Sequence, residues 1–274
     1  MSQVLGRTLR PSLDPSRATS HRWAWGGALV GTLVAVTLWA PASWLARAVE
    51  HFSHAQVRLD QARGTVWNGS AQLALSGGSG SSDTVALPGL VNWKIRPIWG
   101  AMRVDLQASC CTPQPLQIEA RPLGFSGLHL GVADHQSQWP SSLLVGLGTP
   151  WNTVQLQGQL TLRSQALTLD LTPRQLALAG QLQLDATQMS SRLSTLKPMG
   201  SYRVTLQGGT SPTLQLQTLE GSLELSGKGQ WIGSRLRFEG VATAQPDRVE
   251  ALSNLLNIIG RRNGARSIIQ VGTL

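Results

Sequence analysis

The groups that could do chemistry are few, and their spacing assembles nothing. Cys110 and Cys111 are the only two cysteines and are adjacent. Neighbouring thiols cannot join distant strands, so they make no ordinary disulfide framework. A strained vicinal bridge, an intermolecular bridge and two partly buried thiols stay open as readings. Zinc needs more ligands than this pair, and none stands at suitable spacing. His51 and His54 would share a helical face beside Glu50, which reads as a solvated link rather than a metal site. His129 and His135 fall in a loop-like stretch with no obvious partner. Asp105, Glu119, Asp170, Asp185, Glu220 and Glu224 mostly take the polar phase of expected strands, so a solvated face is the first reading. Paired carboxylates for acid–base work cannot be assigned. There is no Gly-x-Ser-x-Gly elbow, phosphate-binding loop, His-Glu-x-x-His helix or calcium loop. Gly227-x-Gly229-x-x-x-Gly233 has the wrong spacing for a dinucleotide site. Trp67, Trp93, Trp99, Trp139, Trp151 and Trp231 are dispersed and read as core or rim. No catalytic, cofactor-binding or metal residue is assigned, and the chain is not expected to be an enzyme.

The elements that carry these groups begin with one long apolar run. No charged side chain occurs from Trp23 to Ala46, and Trp23, Trp25, Trp39 and Trp44 bracket the run. As a helix rising about 1.5 Å per residue it reaches roughly 36 Å, against a hydrocarbon layer of about 30 Å. Tryptophans at both ends suit interfacial belts. The preceding residues hold Arg7, Arg10, Arg17 and Arg22 against Asp14. Basic residues beside a span stay cytoplasmic. The expected organisation is a basic cytoplasmic leader over 1–22, a transmembrane helix over 23–46, a juxtamembrane link over 47–56 and a β-rich periplasmic domain over 57–274. A cleaved signal peptide is the alternative, and Ala40-Pro41-Ala42 roughly resembles a cleavage site. The run is too long for a usual signal core of about 7–15 residues, so an uncleaved signal-anchor is preferred.

Of the 23 Lys+Arg and 14 Asp+Glu, 19 and 13 follow the span, a net charge of +6. The basic residues are dispersed, Tyr and Phe are scarce at one and three, and the tryptophans beyond the span are scattered. A nucleic-acid groove needs clustered positive charge, so nucleic acid is excluded as a partner.

From about residue 57 the period becomes two, the mark of half-buried strands. Val154, Leu156, Leu160 and Leu162 alternate with Gln155, Gln157, Gln159 and Thr161. The phase then flips to Leu167, Leu169 and Leu171, and a turn around Arg163–Ala166 would absorb the flip as a hairpin. Leu182 and Leu184, Val204 and Leu206, and Leu214 and Leu216 continue in the even phase. Leu219, Leu223 and Leu225 are odd after a break near Thr218. Gly208-Gly209, Ser211-Pro212 and Gly227-Lys228-Gly229 punctuate the runs. A phrase recurs with a glycine before alternating leucines: at Leu156–Leu162, Leu178–Leu184 and Leu219–Leu225, and more loosely at Trp67–Leu73. Such a glycine allows a bulge. The fold class is mainly β: a single transmembrane helix, then a curved antiparallel sheet with two short helices. One helix is expected over Met189, Leu193 and Leu196 before Lys197-Pro198. The other carries Val249, Leu252, Leu255, Leu256 and Ile259, capped by Gly260 before Arg261 and Arg262. A short strand at Ile268–Val271 closes the sheet. Residues 76–83 read as a flexible loop, and residues 121–150 are the least legible.

In their order, several segments resemble one family. Gly64-Thr65-Val66-Trp67-Asn68-Gly69 is similar to an early Gly-x-hydrophobic-Trp-x-Gly strand, followed by Leu90–Pro97 like a Leu-x-Trp segment. Then come Leu196–Tyr202, Gly221–Trp231 and Leu252–Arg262. The chain resembles the N component of the bacterial type II secretion system, the general secretion pathway protein N. The resemblance implies a non-enzymatic accessory component of the inner membrane that supports export of folded periplasmic proteins across the outer membrane. It implies no cofactor, and partners among other secretion components, the inner-membrane platform or the outer-membrane channel. Cys110-Cys111 and the 76–83 loop have no counterpart in it. The family also resembles AsmA-type envelope proteins with apolar-faced curved sheets. The alternative function is therefore a periplasmic module that binds or transfers lipid or another apolar ligand. Which reading holds depends on whether the two helices cover the apolar face.

The orientation predicts that a reporter active only outside the cytoplasm, fused after Leu274, is active; an inactive fusion overturns it.

Overall fold

The computed structural model describes residues 17–272 apart from 79, 82, 125, 174, 175 and 234, with side chains from Trp23 onward. The leader before residue 17, including Arg7, Arg10 and Asp14, lies outside the described residues. The chain divides into two units after Ala40. The first holds helix α1 (Arg17–Leu38), whose apolar side chains are exposed: Trp23, Leu29, Leu33 and Leu38 all face outward. The expected single helix over 23–46 is divided in two. The α1 ladder stops at Leu38, and α2 (Ala42–Phe52) starts afresh after Pro41. Proline lacks the N–H that would continue the ladder and disfavours helical geometry at the residue before it. Pro41 instead makes a bridge with Thr65. Among the described residues no helix is long and apolar enough to cross a membrane. The expected link over 47–56 is largely α2.

The second unit is one antiparallel sheet. In chain order its elements are β1 (Val57–Gly64), β2 (Asn68–Ser76), β3 (Thr84–Ala86), β4 (Val91–Ile98), β5 (Ala101–Ala108), β6 (Leu116–Leu123), β7 (Gly127–Val132), β8 (His135–Pro140), a 3₁₀ segment (Ser141–Leu147) and α3 (Trp151–Val154). They continue with β9 (Leu156–Leu171), β10 (Leu176–Ser191), β11 (Gly200–Gly209), β12 (Thr213–Gly221), β13 (Leu223–Ile232), β14 (Arg235–Ala244), a 3₁₀ turn (Pro246–Arg248), α4 (Ser253–Ile259), β15 (Arg261–Asn263) and β16 (Arg266–Val271). Sheet order follows the chain closely, β1-β2-β4-β5-β6-β7-β9-β10-β11-β12-β13-β14-β16-β15, with β3 beside β2 and β8 beside β9. No pairing among the described residues joins β15 to β1, so the sheet is open.

The phase flip in the leucine pattern has a different cause from the one expected. There is no hairpin at Arg163–Ala166; β9 runs through it for 16 residues. Ala166 takes a left-handed φ of 46°, opposite Gly180 at φ 83°, and the β9–β10 register shifts between Ala179 and Gln181. This bulge moves the leucines to odd numbers without turning the chain. A Cβ at position 180 would overlap the carbonyl oxygen of Ala166, which is why glycine stands there. The neighbouring strand is interrupted at the same level, between β7 and β8. Asp134 Oδ1 accepts from the Ala166 N–H at 2.6 Å, and Ser164 Oγ donates to Ala133 O at 3.0 Å, so the break leaves those backbone groups bonded. The same device recurs at Gly158, φ 144°, opposite Gln188, φ 54°.

Other expectations need correction. No helix spans Met189–Leu196: Met189 belongs to β10, and residues 192–199 form turns. Ser191 Oγ accepts from the Leu193 N–H at 3.2 Å and Ser194 Oγ from the Leu196 N–H at 3.1 Å. These local bonds compete with a helical ladder. Gly227-Lys228-Gly229 is not a turn but the middle of β13; Cβ atoms at 227 or 229 would crowd the Phe238 ring. The last helix is shorter than expected, Ser253–Ile259, and Gly260 follows it with extended backbone rather than a left-handed cap. His129 and His135 lie on β7 and β8, not in a loop. The final strand is found two residues longer than expected, Arg266–Val271, and the punctuation at 208–212 separates β11 from β12.

One sheet face, with Leu160, Tyr202, Leu223 and Ala242, packs against Leu252, Leu255 and Leu256 to form the main core. A smaller cluster holds Leu87, Ala108, Cys111 and Leu143. A third centres on Trp93, whose Nε1 donates to Val66 O at 3.0 Å. Its ring lies where a Cβ at Gly69 would be, so the Gly-x-x-Trp-x-Gly phrase works as a seat for Trp93.

Because Gly124 has a left-handed φ with open space around it, Gly124→Ala is expected to cost about 1 kcal/mol. Gly180→Ala adds overlap with Ala166 and is expected to cost at least about 2 kcal/mol. Thermal unfolding followed by circular dichroism checks the order; equal losses contradict the bulge.

Candidate functional site

Strand alternation puts two kinds of surface back to back. On the polar face, Asp185 of β10 stands directly opposite Arg203 of β11. Arg203 Nε donates to Asp185 Oδ1 at 2.6 Å and its Nη2 to Oδ2 at 3.0 Å. Arg163 Nη1 of β9 donates to Oδ2 at 2.7 Å, and Gln183 Nε2 adds a bond at 3.0 Å. The Asp185 side chain is only 8% exposed. Hydrogen bonding from Arg203 is the main cause that holds its carboxyl below the usual range, with Gln183 and the charges of both arginines assisting. Arg103 and Arg121 likewise hold Glu119 low. Arg96 pairs with Asp105, and His129 with Asp170. These carboxylates are not a free solvated face, as their polar phase had suggested; they are struts between strands. Asp185, lowered and bonded at both oxygens, is poorly suited to move protons. Burial lowers His135, whose Nε2 has no partner, and so favours its neutral form.

Cys110 and Cys111 form a vicinal disulfide in the turn after β5, which resolves the open readings for this pair. Thr112 Oγ1 accepts from the Ala108 N–H at 2.8 Å across that turn. His51 and His54 lie near the end of α2, and no group of three or more metal-ligand side chains stands together among the described residues. Trp93 and Trp139 pack in cores, whereas Trp99 is fully exposed at the β4–β5 turn.

On the apolar face the helices do not cover the sheet completely. Between the strands and the α3 and α4 segments lies a cavity of about 610 Å³. Its floor includes Leu160, Leu184, Val204, Leu214, Leu225 and Phe238. Trp151, Val154, Leu255, Ile258 and Ile259 form the opposite wall. The lining side chains carry two polar atoms, the Trp151 indole N–H and the Tyr202 hydroxyl. Tyr202 is 6% exposed, its Oη has no hydrogen-bond partner, and burial pushes its phenol well above the ordinary value. A wider concavity of about 970 Å³ lies on the polar face, lined by Gln215, Gln217, Lys228, Gln230 and Glu239 among others. Lys228 faces Glu239 in register there, so the charges answer each other across strands.

The leucine stripe of the cavity floor was legible in the sequence. The cavity itself was not, because α3 has four residues and little periodicity. The Arg163–Asp185–Arg203 set was also missed. Its signal was opposite charge in the polar phase of consecutive strands, readable only once the register is known.

Comparison with known families finds a match over residues 55–269 to the family described as type II secretion system (T2SS), protein N. Comparisons with curated proteins and with solved structures found no match.

Replacing Asp185 by Asn removes the charge from two arginine bonds. The expected loss at neutral pH is about 1–2 kcal/mol, at the lower end because water screens the partly exposed arginines. Since folding lowers the Asp185 pKa, its contribution is complete above the ordinary carboxylate value and disappears as pH falls through the lowered one. Urea titrations at several pH values should show the two proteins converging in acid; a gap that widens in acid contradicts the assignment.

Proposed function

The chain belongs to the type II secretion system protein N family, and from that premise we propose that it is a non-enzymatic accessory component, held at the inner membrane with its β-sheet on the periplasmic side. The observation that carries this reading is the extent of the match, residues 55–269, which takes in nearly the whole sheet.

The anchor in this proposal is the run from Trp23. Residues 23–38 are helical, and at about 1.5 Å each reach roughly 24 Å. Trp39, whose N–H donates to Ala35 O at 3.0 Å, continues the helical turn to about 26 Å, a shortfall against the ~30 Å hydrocarbon layer that local thinning of the bilayer absorbs. Exposed Trp23, Trp25 and Trp39 suit the two interfaces, and Arg22 precedes the run. The amino terminus then lies in the cytoplasm.

Other secretion components are the proposed partners, either the inner-membrane platform or the outer-membrane channel. The sheet edges are poor templates for strand addition. β15 is three residues long and carries Arg261 and Arg262, while β1 is bulged between Asp60 and Arg63 and has α2 packed against it. Exposed turn residues such as Trp99 are better suited to contact.

Deleting the gene is expected to leave exoproteins in the periplasm and reduce them in the medium, with recovery on supplying the full chain. Immunoblots of the two fractions measure this. Normal secretion in the deletion strain removes the functional claim.

A further inference from the structure

We infer that the cavity on the apolar face is a binding site for a single hydrocarbon chain, the acyl chain of a fatty acid or of a membrane phospholipid. The register gives the cavity a direction. Tyr202 and Leu223 lie toward one end, while Leu214, Phe238 and Val271 lie toward the other, since Leu214 and Phe238 both flank Gly229 and Phe238 pairs with Val271. Along the strands the two ends are about four residues, or roughly 13 Å, apart. Among the lining residues Val271 is more than half exposed, which puts an opening at the Leu214 and Phe238 end, while Trp151, also exposed, precedes β9 at the Tyr202 end. Leu223, Leu255 and Met189 at the inner wall are buried.

Size and wall chemistry select the occupant. A volume of about 610 Å³ is within the range of roughly 300–1,000 Å³ usual for small-ligand sites. Two turns of a helix about 10 Å across displace roughly 850 Å³, so a partner helix does not fit. An extended peptide brings an N–H and a C=O with every residue, and each must be bonded when buried. The lining side chains offer only the Trp151 N–H and the Tyr202 hydroxyl, which lies against Gly200. A hydrocarbon chain needs no partners. Its polar head would remain at the opening while the chain runs inward along the leucine floor. Met189 and Met199 give the wall soft, adaptable side chains. Phe238 lies over Gly227 and Gly229, so the floor is shaped by glycines that leave room for its ring.

The test is photolabelling of the full-length protein in membranes. One arm uses palmitate carrying a diazirine near its methyl end; the other uses phosphatidylethanolamine with the same group on an acyl chain. Mass spectrometry then locates the adducts. Adducts on peptides containing Leu184, Leu225 or Phe238 are expected, and the arm that gives them identifies a free fatty acid or a phospholipid as the source. Adducts confined to residues 23–46, or absent, overturn the inference. Leu225→Trp fills the cavity and Val271→Trp blocks its opening. Each is expected to lower the cavity adducts at least fivefold while leaving those on residues 23–46 unchanged. Val271 is exposed, so its variant tests the site even where Leu225→Trp fails to fold; undiminished labelling in Val271→Trp overturns the inference. The result is independent of the secretion phenotype, so failure of either reading is visible without the other.

Discussion

A sheet with one apolar face must have that face covered, and here little chain is available to do it. The main core forms where Leu252, Leu255 and Leu256, in and just before α4, meet Leu223, Tyr202 and Ala242. α4 is seven residues long and α3 only four. Helices this short cannot roof strands of ten to sixteen residues. The sheet therefore keeps its apolar floor partly uncovered, and the cavity is a consequence of that mismatch. Burial near the inner end holds the molecule together; incomplete burial near the outer end leaves the cavity.

The opposite face solves a different problem. Long antiparallel strands need their register fixed, since a slip of one residue would exchange the two faces. Asp185 does this by reaching Arg203 on one side and Arg163 on the other. The bulges at Ala166–Gly180 and Gly158–Gln188 work alongside it, shifting the register of β9 and β10 at defined points. Asp185 spent on this strut is held low by its arginines and is poorly placed to exchange a proton.

Much of this was visible in residue order alone. Alternating leucines and glutamines gave the β class, the apolar stripe and the place of glycine-dependent bulges. Periodicity failed where two structures share one pattern. A phase flip is produced equally by a turn and by a bulge, and only the partner strand distinguishes them at Arg163–Ala166. Met189, Leu193 and Leu196 have helical spacing, but Ser191 and Ser194 divert the backbone into turns. One helix is expected over 23–46, whereas α1 and α2 are separate. The cavity depends on which helices fail to reach across the sheet, and no local sequence signal records that. Family membership was legible in the order of several short segments, two of which meet in the fold where Trp93 packs over Gly69.

The account rests most directly on β9 to β14 being one continuous block with α4 laid on its apolar face. Amide hydrogen exchange of the full-length protein, read by mass spectrometry, tests this. Peptides covering 156–171, 176–191 and 223–244 should exchange slowly and as a unit, with slow exchange also at 254–256 and no fast segment at 163–166 beyond the bulge itself. Rapid exchange through 163–166 as for a hairpin turn, or through α4 as for an undocked helix, would contradict it.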